Sequence, residues 1–171
     1  MVVLDMATGR STKLTGAIGE FLVAAELCRL GLIATPFSGN VPDYDIIAIG
    51  KSGGLVPVQV KAINGTTWQF DIRSFIDVQM ADDGIHQVPG KLKPEPFKGL
   101  ICVLVLIKET GRDRFFILQW KELRNILARA YKGYLIDHDF KRPRAHNSFH
   151  TALAIKTVEK FEDIWDNVRP V

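Results

Sequence analysis

Apolar residues recur at spacings of three and four from Leu14 through Ala17, Ile18, Phe21, Leu22 and Ala25 to Cys28, which predicts a helix. Ser11 or Thr12 can cap its start. Gly31 supplies its stop, because glycine adopts a left-handed backbone at little cost. More than half of the helix circumference is apolar, so the helix is expected to be largely buried. The pattern then turns extended. Ile33 to Phe37 reads as a short strand and Asp45 to Ile49 as a stronger one. Turn residues Gly50 to Gly54 follow, with Leu55 to Ala62 as the return strand. Thr66 to Ile72 is expected to add a third strand to this meander. Gly99 to Ile107 is a continuous apolar run of strand length, the mark of a central strand covered on both faces.

Arg114 to Leu118 reads as a strand, Trp120 to Tyr131 as a helix and Ser148 to Ile155 as a late strand. A closing helix is expected over Val158 to Val168, with Val158, Phe161, Ile164, Trp165 and Val168 facing the core or an oligomer seam. Between Arg73 and Lys98 stand Gly84, Pro89, Gly90, Pro94 and Pro96, so that stretch reads mostly as loop. Helices outside strands buried on two faces predict an α/β sandwich with a mixed sheet. With no repeat or composition shift, residues 1–171 are expected to form a single domain.

Composition changes this picture little. Hydrophobic residues at 47% and charged residues at 24% give enough apolar material for a core and argue against disorder. The net charge of +3 tolerates a nucleic-acid partner without demanding one. Cys28 and Cys102 lie in apolar runs and read as reduced core thiols. No apolar stretch reaches the ~18–20 residues that span a membrane, and Met1 to Arg10 lacks the layout of a secretory signal. The expectation is a cytoplasmic protein with no membrane partner.

Candidate chemistry begins on the return strand. Period-two geometry sends Val56, Val58 and Val60 to one face and Pro57, Gln59 and Lys61 to the other. An amide carbonyl and an ammonium therefore project side by side. Pairing through the glycine-rich turn would bring Asp45 beside them. Glu20 shares its helical stripe with Ala17, Val23, Ala24 and Leu27, and a carboxylate on an apolar stripe needs a cation, a hydrogen-bond donor or a route to water.

These residues, GAIGE at 16–20, PDYD at 42–45 and QVK at 59–61, resemble the PD-(D/E)XK nuclease superfamily, in a Q-x-K form similar to some homing and transposition endonucleases. The resemblance covers roughly residues 12–62 and implies a restriction-endonuclease-like α/β/α sandwich with a central mixed β-sheet. It implies a metal-dependent DNA endonuclease in which Glu20, Asp45 and Gln59 hold Mg²⁺ or Mn²⁺. Lys61 would activate water or stabilise the transition state. Gln59 departs from the usual Asp or Glu and removes one formal charge from the ligand set. Asp43 competes for the Asp role, and Asp45 is preferred because it leads straight into apolar strand residues. The alternative is a catalytically silent member of the same fold that binds nucleic acid or scaffolds a partner.

Other features carry less. Lys141, Arg142 and Arg144 form the densest basic stretch and, with His150, are candidate DNA-phosphate contacts. A solvated loop explains them equally well. Lys91, Lys93 and Lys98 form a thinner basic group, for which solvent exposure is the simpler explanation. His138, His146 and His150 do not match a zinc spacing. Trp68, Trp120 and Trp165 are expected at core margins. One active site per chain implies that cutting both DNA strands takes a homodimer or larger assembly.

Overall fold

The structure is a computed structural model that describes residues 9–37 and 43–168. Residues before Gly9 and Pro42 of the PDYD segment lie outside this description. Its elements run α1 (Gly9–Arg29), β1 (Ile33–Pro36), β2 (Ile46–Ile49), β3 (Leu55–Ile63), β4 (Thr67–Asp71), β5 (Ile76–Met80), β6 (Gln87–Leu92), β7 (Ile101–Leu106), β8 (Arg114–Gln119), α2 (Trp120–Asp137), β9 (His150–Ala154) and α3 (Ile155–Val158). The main sheet has five strands in the order β1-β2-β3-β7-β8. It is mixed: β3 and β7 are parallel, and the other neighbours are antiparallel.

Strand periodicity divides two cores. Val56 and Val58 on β3 and Ile101, Val103 and Val105 on β7 meet Val23, Ala24 and Leu27 of α1 on one face. Cys102, Leu104 and Leu106 point the other way, toward Leu123, Leu127, Tyr131 and Leu135 of α2. Every residue of β7 is buried, as its unbroken apolar run requires. The result is an α/β arrangement with a central mixed sheet flanked by helices, as expected. α1 approaches β3 closely at Gly19, where a Cβ would overlap the Cβ of Ala62 and touch Val60 Cγ1 at 3.5 Å.

Several expectations are corrected. The outer side of α1 is open: Leu14, Ile18, Phe21, Ala25 and Cys28 are exposed, so this helix is apolar on two sides and buried on one. Cys28 is accordingly a surface thiol, while Cys102 is buried. Thr67–Asp71 does not extend the meander; β4 pairs with β9 in a separate two-stranded sheet. The region from Arg73 to Lys98 contains the β5–β6 hairpin rather than mostly loop. Buried Gln87 anchors it, donating to the carbonyls of His146 and Ser148 and accepting from the hydroxyl of Tyr131 on α2. Trp68 and Trp120 lie in the core, leaving Trp165 at a margin.

The closing helix is not continuous. It breaks into α3 and two 3₁₀ turns, Glu159–Phe161 and Trp165–Asn167. Between them Glu162 forms a bridge with Phe116, Asp163 adopts φ 53° and the Asp163 N–H donates to the carbonyl of Phe115 at 2.9 Å. Backbone pairing with β8 thus replaces helical hydrogen bonds. The core positions Val158, Phe161 and Val168 remain buried, whereas Ile164 is exposed.

Candidate active site

The hairpin β2–β3 sets the site. Gly50 N–H donates to the carbonyl of Gly54, Gly53 takes φ 83°, and the register that follows pairs Ile46 with Val58. Asp45, one residue before β2, donates its own N–H to the Val58 carbonyl at 2.9 Å. Its Oδ2 accepts the Val60 N–H at 2.7 Å. The strand pairing inferred from the sequence is therefore present, and it fixes the Asp45 carboxylate to the backbone between Gln59 and Lys61.

Asp45, Gln59 and Lys61 line one cavity of about 570 Å³. Asp43 lines it too, from a backbone with φ 73°. Aspartate tolerates this left-handed conformation better than most residues. Gln59 is half-buried, and its amide makes no hydrogen bond among the described residues. Lys61 reaches over the ring of Phe70, 5.3 Å from its centroid. The Lys61 carbonyl accepts the indole N–H of buried Trp68 at 2.9 Å. That contact ties the strand carrying Lys61 to the second core. The sequence held no sign of this role for Trp68, because it depends on how β4 folds back after β3.

Glu20 stands apart from the cavity lining but within electrostatic reach of Asp45. Its neighbour Gly19 lets α1 sit directly on β3, which brings the carboxylate toward the hairpin. Burial raises the Glu20 pKa above its ordinary 4.5, and the charge of Asp45 raises it further. Burial likewise raises Asp45 above 3.8, against the lowering effects of the Val60 hydrogen bond and of Lys61. Lys61 is thus near Asp45 without forming an ion pair among the described residues. Both carboxylates carry a charge that the protein itself leaves under-compensated.

The donor set is oxygen-rich: two carboxylates and an amide carbonyl, the ligands that hard divalent cations prefer. Among the described residues no three His, Cys, Asp or Glu side chains converge as a metal cluster. Glutamine in the third place is one reason. The raised carboxylates and the free Gln59 amide nonetheless fit a cation.

Of the other candidates, His150 pairs with Asp71 across β4–β9, and Asp71 lines the cavity. Arg142 donates to the His150 carbonyl at 2.7 Å and lies over the Tyr134 ring at 5.3 Å. Arg142 and Arg144 line a separate depression of about 270 Å³ with Tyr134 and Ser148. Lys141 bridges His86 in an exposed loop. His138 faces the Tyr134 carbonyl and His146 offers its own carbonyl to Gln87, so these histidines have separate partners.

No family model and no curated protein matches the chain. Among solved structures it is similar to a bacterial homing endonuclease, I-Ssp6803I, with a TM-score of 0.41 and 17% identity. The match covers 67% of this chain and 73% of that one. A likeness this slight carries no argument, so the functional reading rests on the residues themselves.

Proposed function

We propose that the chain is a metal-dependent DNA endonuclease of the PD-(D/E)XK type. The observation that carries this reading is the meeting of Asp45, Gln59 and Lys61 of the β2–β3 hairpin in one cavity, with Glu20 of α1 within electrostatic reach of Asp45. Glu20, Asp45 and Gln59 would hold Mg²⁺ or Mn²⁺, which supplies a more acidic bound water and neutralises phosphate charge. The Val60 N–H orients Asp45 Oδ2 and leaves Oδ1 for a ligand. Lys61 holds its ammonium beside the same carboxylate, where it orients water and offsets the charge that builds on phosphorus. Trp68 keeps its backbone in place.

DNA is the substrate in this reading, with Lys141, Arg142, Arg144 and His150 as backbone contacts. Two copies act together on a duplex. Leu14, Ile18, Phe21, Ala25 and Cys28 follow the 4-3-4-3 spacing of a two-helix seam on the open side of α1, which supports a homodimer. Cys28 and Cys102 are free thiols, consistent with a reducing cytoplasm. No helix among the described residues is long and apolar enough to cross a membrane. Gln59 favours a second reading, a silent DNA-binding member, because it lowers the charge available to a cation.

Supercoiled plasmid and branched DNA, incubated with Mg²⁺, Mn²⁺ or EDTA, separate the two. Cleavage that needs metal and disappears in Lys61→Ala supports the enzyme. DNA retention without cleavage supports the silent binder.

A further inference from the structure

The cavity that holds Asp45, Gln59 and Lys61 has a second wall made by a different part of the chain. Ser74, Phe75, Lys93, Pro96 and Trp120 line that part of it. Lys93 is its one cation among the described residues. Its sequence context, a lysine in a proline-rich stretch, reads as a solvated loop. The fold gives it a different setting. Lys93 follows β6 directly, and both of its backbone polar groups are occupied: its N–H donates to the Phe75 carbonyl at 2.9 Å, and its carbonyl accepts from Arg124 Nη1 at 2.7 Å. Arg124 in turn lies over the Trp120 ring, 5.5 Å from its centroid. The lysine therefore leaves a braced backbone and is half-buried in the wall.

Its ammonium makes no ion pair or hydrogen bond among the described residues. The cavity carboxylate on the β4 side, Asp71, is already engaged by Arg73, whose Nη2 lies 2.6 Å from Oδ2. Lys93 forms no ion pair with Asp43, Asp45 or Asp71, the carboxylates that line the same cavity, among the described residues. A cavity open to solvent, lined by carboxylates and by an ammonium with no ion-pair partner among the described residues, fits a phosphodiester. The hairpin residues would meet the phosphate being cut, and a further positive charge in the same cavity would hold the strand in.

We propose that Lys93 contacts a backbone phosphate of DNA lying in this cavity, as a strand-holding residue distinct from Lys61. This rests on the reading of the cavity as a DNA-cleavage site. Each phosphate that a lysine neutralises releases condensed counterions, so losing one contact flattens the dependence of log K on log[salt] by about 0.9 for duplex DNA.

The test is equilibrium binding of a short duplex in EDTA across a range of NaCl, with thermal melts to confirm folding. Lys93→Ala should bind about tenfold more weakly at low salt and lose about one unit of slope. Lys93→Arg should restore both. Lys108→Ala, in the loop after β7 and outside the cavity lining, should match wild type. A Lys93→Ala protein with wild-type slope and affinity overturns the proposal, and so does a wild-type protein that does not bind duplex DNA. Wild-type binding without metal-dependent cleavage removes the endonuclease reading, while the slope of Lys93→Ala still decides the role of Lys93.

Discussion

Glu20 and Asp45, between α1 and the β2–β3 hairpin, differ in kind from Glu162, which follows the 3₁₀ turn that packs on β8. Glu162 receives two hydrogen bonds of 2.6 Å from the guanidinium of Arg114, and that contact lowers its pKa below the ordinary 4.5. Its charge is matched, and the pair ties the chain's last segment to the sheet. The first pair has no such partner. Burial raises both carboxylates, the charge of Asp45 raises Glu20 further, and Lys61 stops short of an ion pair with Asp45 among the described residues. Folding alone does not select for the first arrangement, since an amide in place of either acid would be less costly to bury. The contrast separates a carboxylate whose charge the fold matches from a pair whose charge it leaves without an ion-pair partner among the described residues, which is what the proposed cation site requires.

Asp45→Asn breaks the contrast most directly. It keeps an oxygen for the Val60 N–H and removes the desolvated charge. Cleavage should fall by about 10²–10³, the range for deleting one group that stabilises a transition state. Thermal denaturation should show a gain of about 0.5–1 kcal/mol, as relief of a functional site allows. Gln59→Glu sharpens the same side. A third carboxylate should tighten Mn²⁺ binding about tenfold, near 1.4 kcal/mol, by calorimetric titration. It should also lower stability without metal, by adding a third charge to an under-compensated pair.

Glu162→Gln addresses the other side. Both partners are about one-third exposed, at 35% and 32%, so solvent screens the interaction. Its loss should cost about 1 kcal/mol in denaturant melts, the upper end for a surface pair with two hydrogen bonds, and leave cleavage unchanged. The smallest effect is on pH dependence. As pH falls toward 4, the raised carboxylates Glu20 and Asp45 take up protons in the folded state first, which adds stability. Glu162 acts in the opposite sense: its contribution is full above the ordinary 4.5 and is lost as pH falls through its lowered pKa. Melts from pH 7 to pH 3 should therefore show Asp45→Asn losing part of the first gain, with the share from buried Glu20 remaining, and Glu162→Gln losing the later decline.

Much of this was legible in the chain. Alternation in β3 placed Gln59 and Lys61 on one face, and the glycine-rich turn fixed their register against Asp45. The unbroken run of β7 announced a strand buried on both sides. Legibility failed wherever distant segments supply the partners. The prolines and glycines after Arg73 read as loop, yet a buried glutamine ties β5–β6 to α2 and to the loop before β9. The apolar spacing near the C-terminus read as one helix, but β8 captured its backbone at Glu162 and Asp163. In α1, apolar periodicity counted residues on two faces and could not tell which face meets the sheet; Gly19 marks that face, through its contact with Ala62. Trp68 and Lys93 escaped for the same reason, since their settings depend on contacts with β3, Phe75 and Arg124.

The most direct measurement of the central claim pairs two readouts on wild type and Asp45→Asn: plasmid cleavage with Mn²⁺, and melting temperature with and without Mn²⁺. Wild type should cut and melt higher with the metal, while Asp45→Asn should do neither and start from a higher metal-free melting temperature. Equal melting curves with and without Mn²⁺ for wild type, together with no cleavage, would contradict that claim.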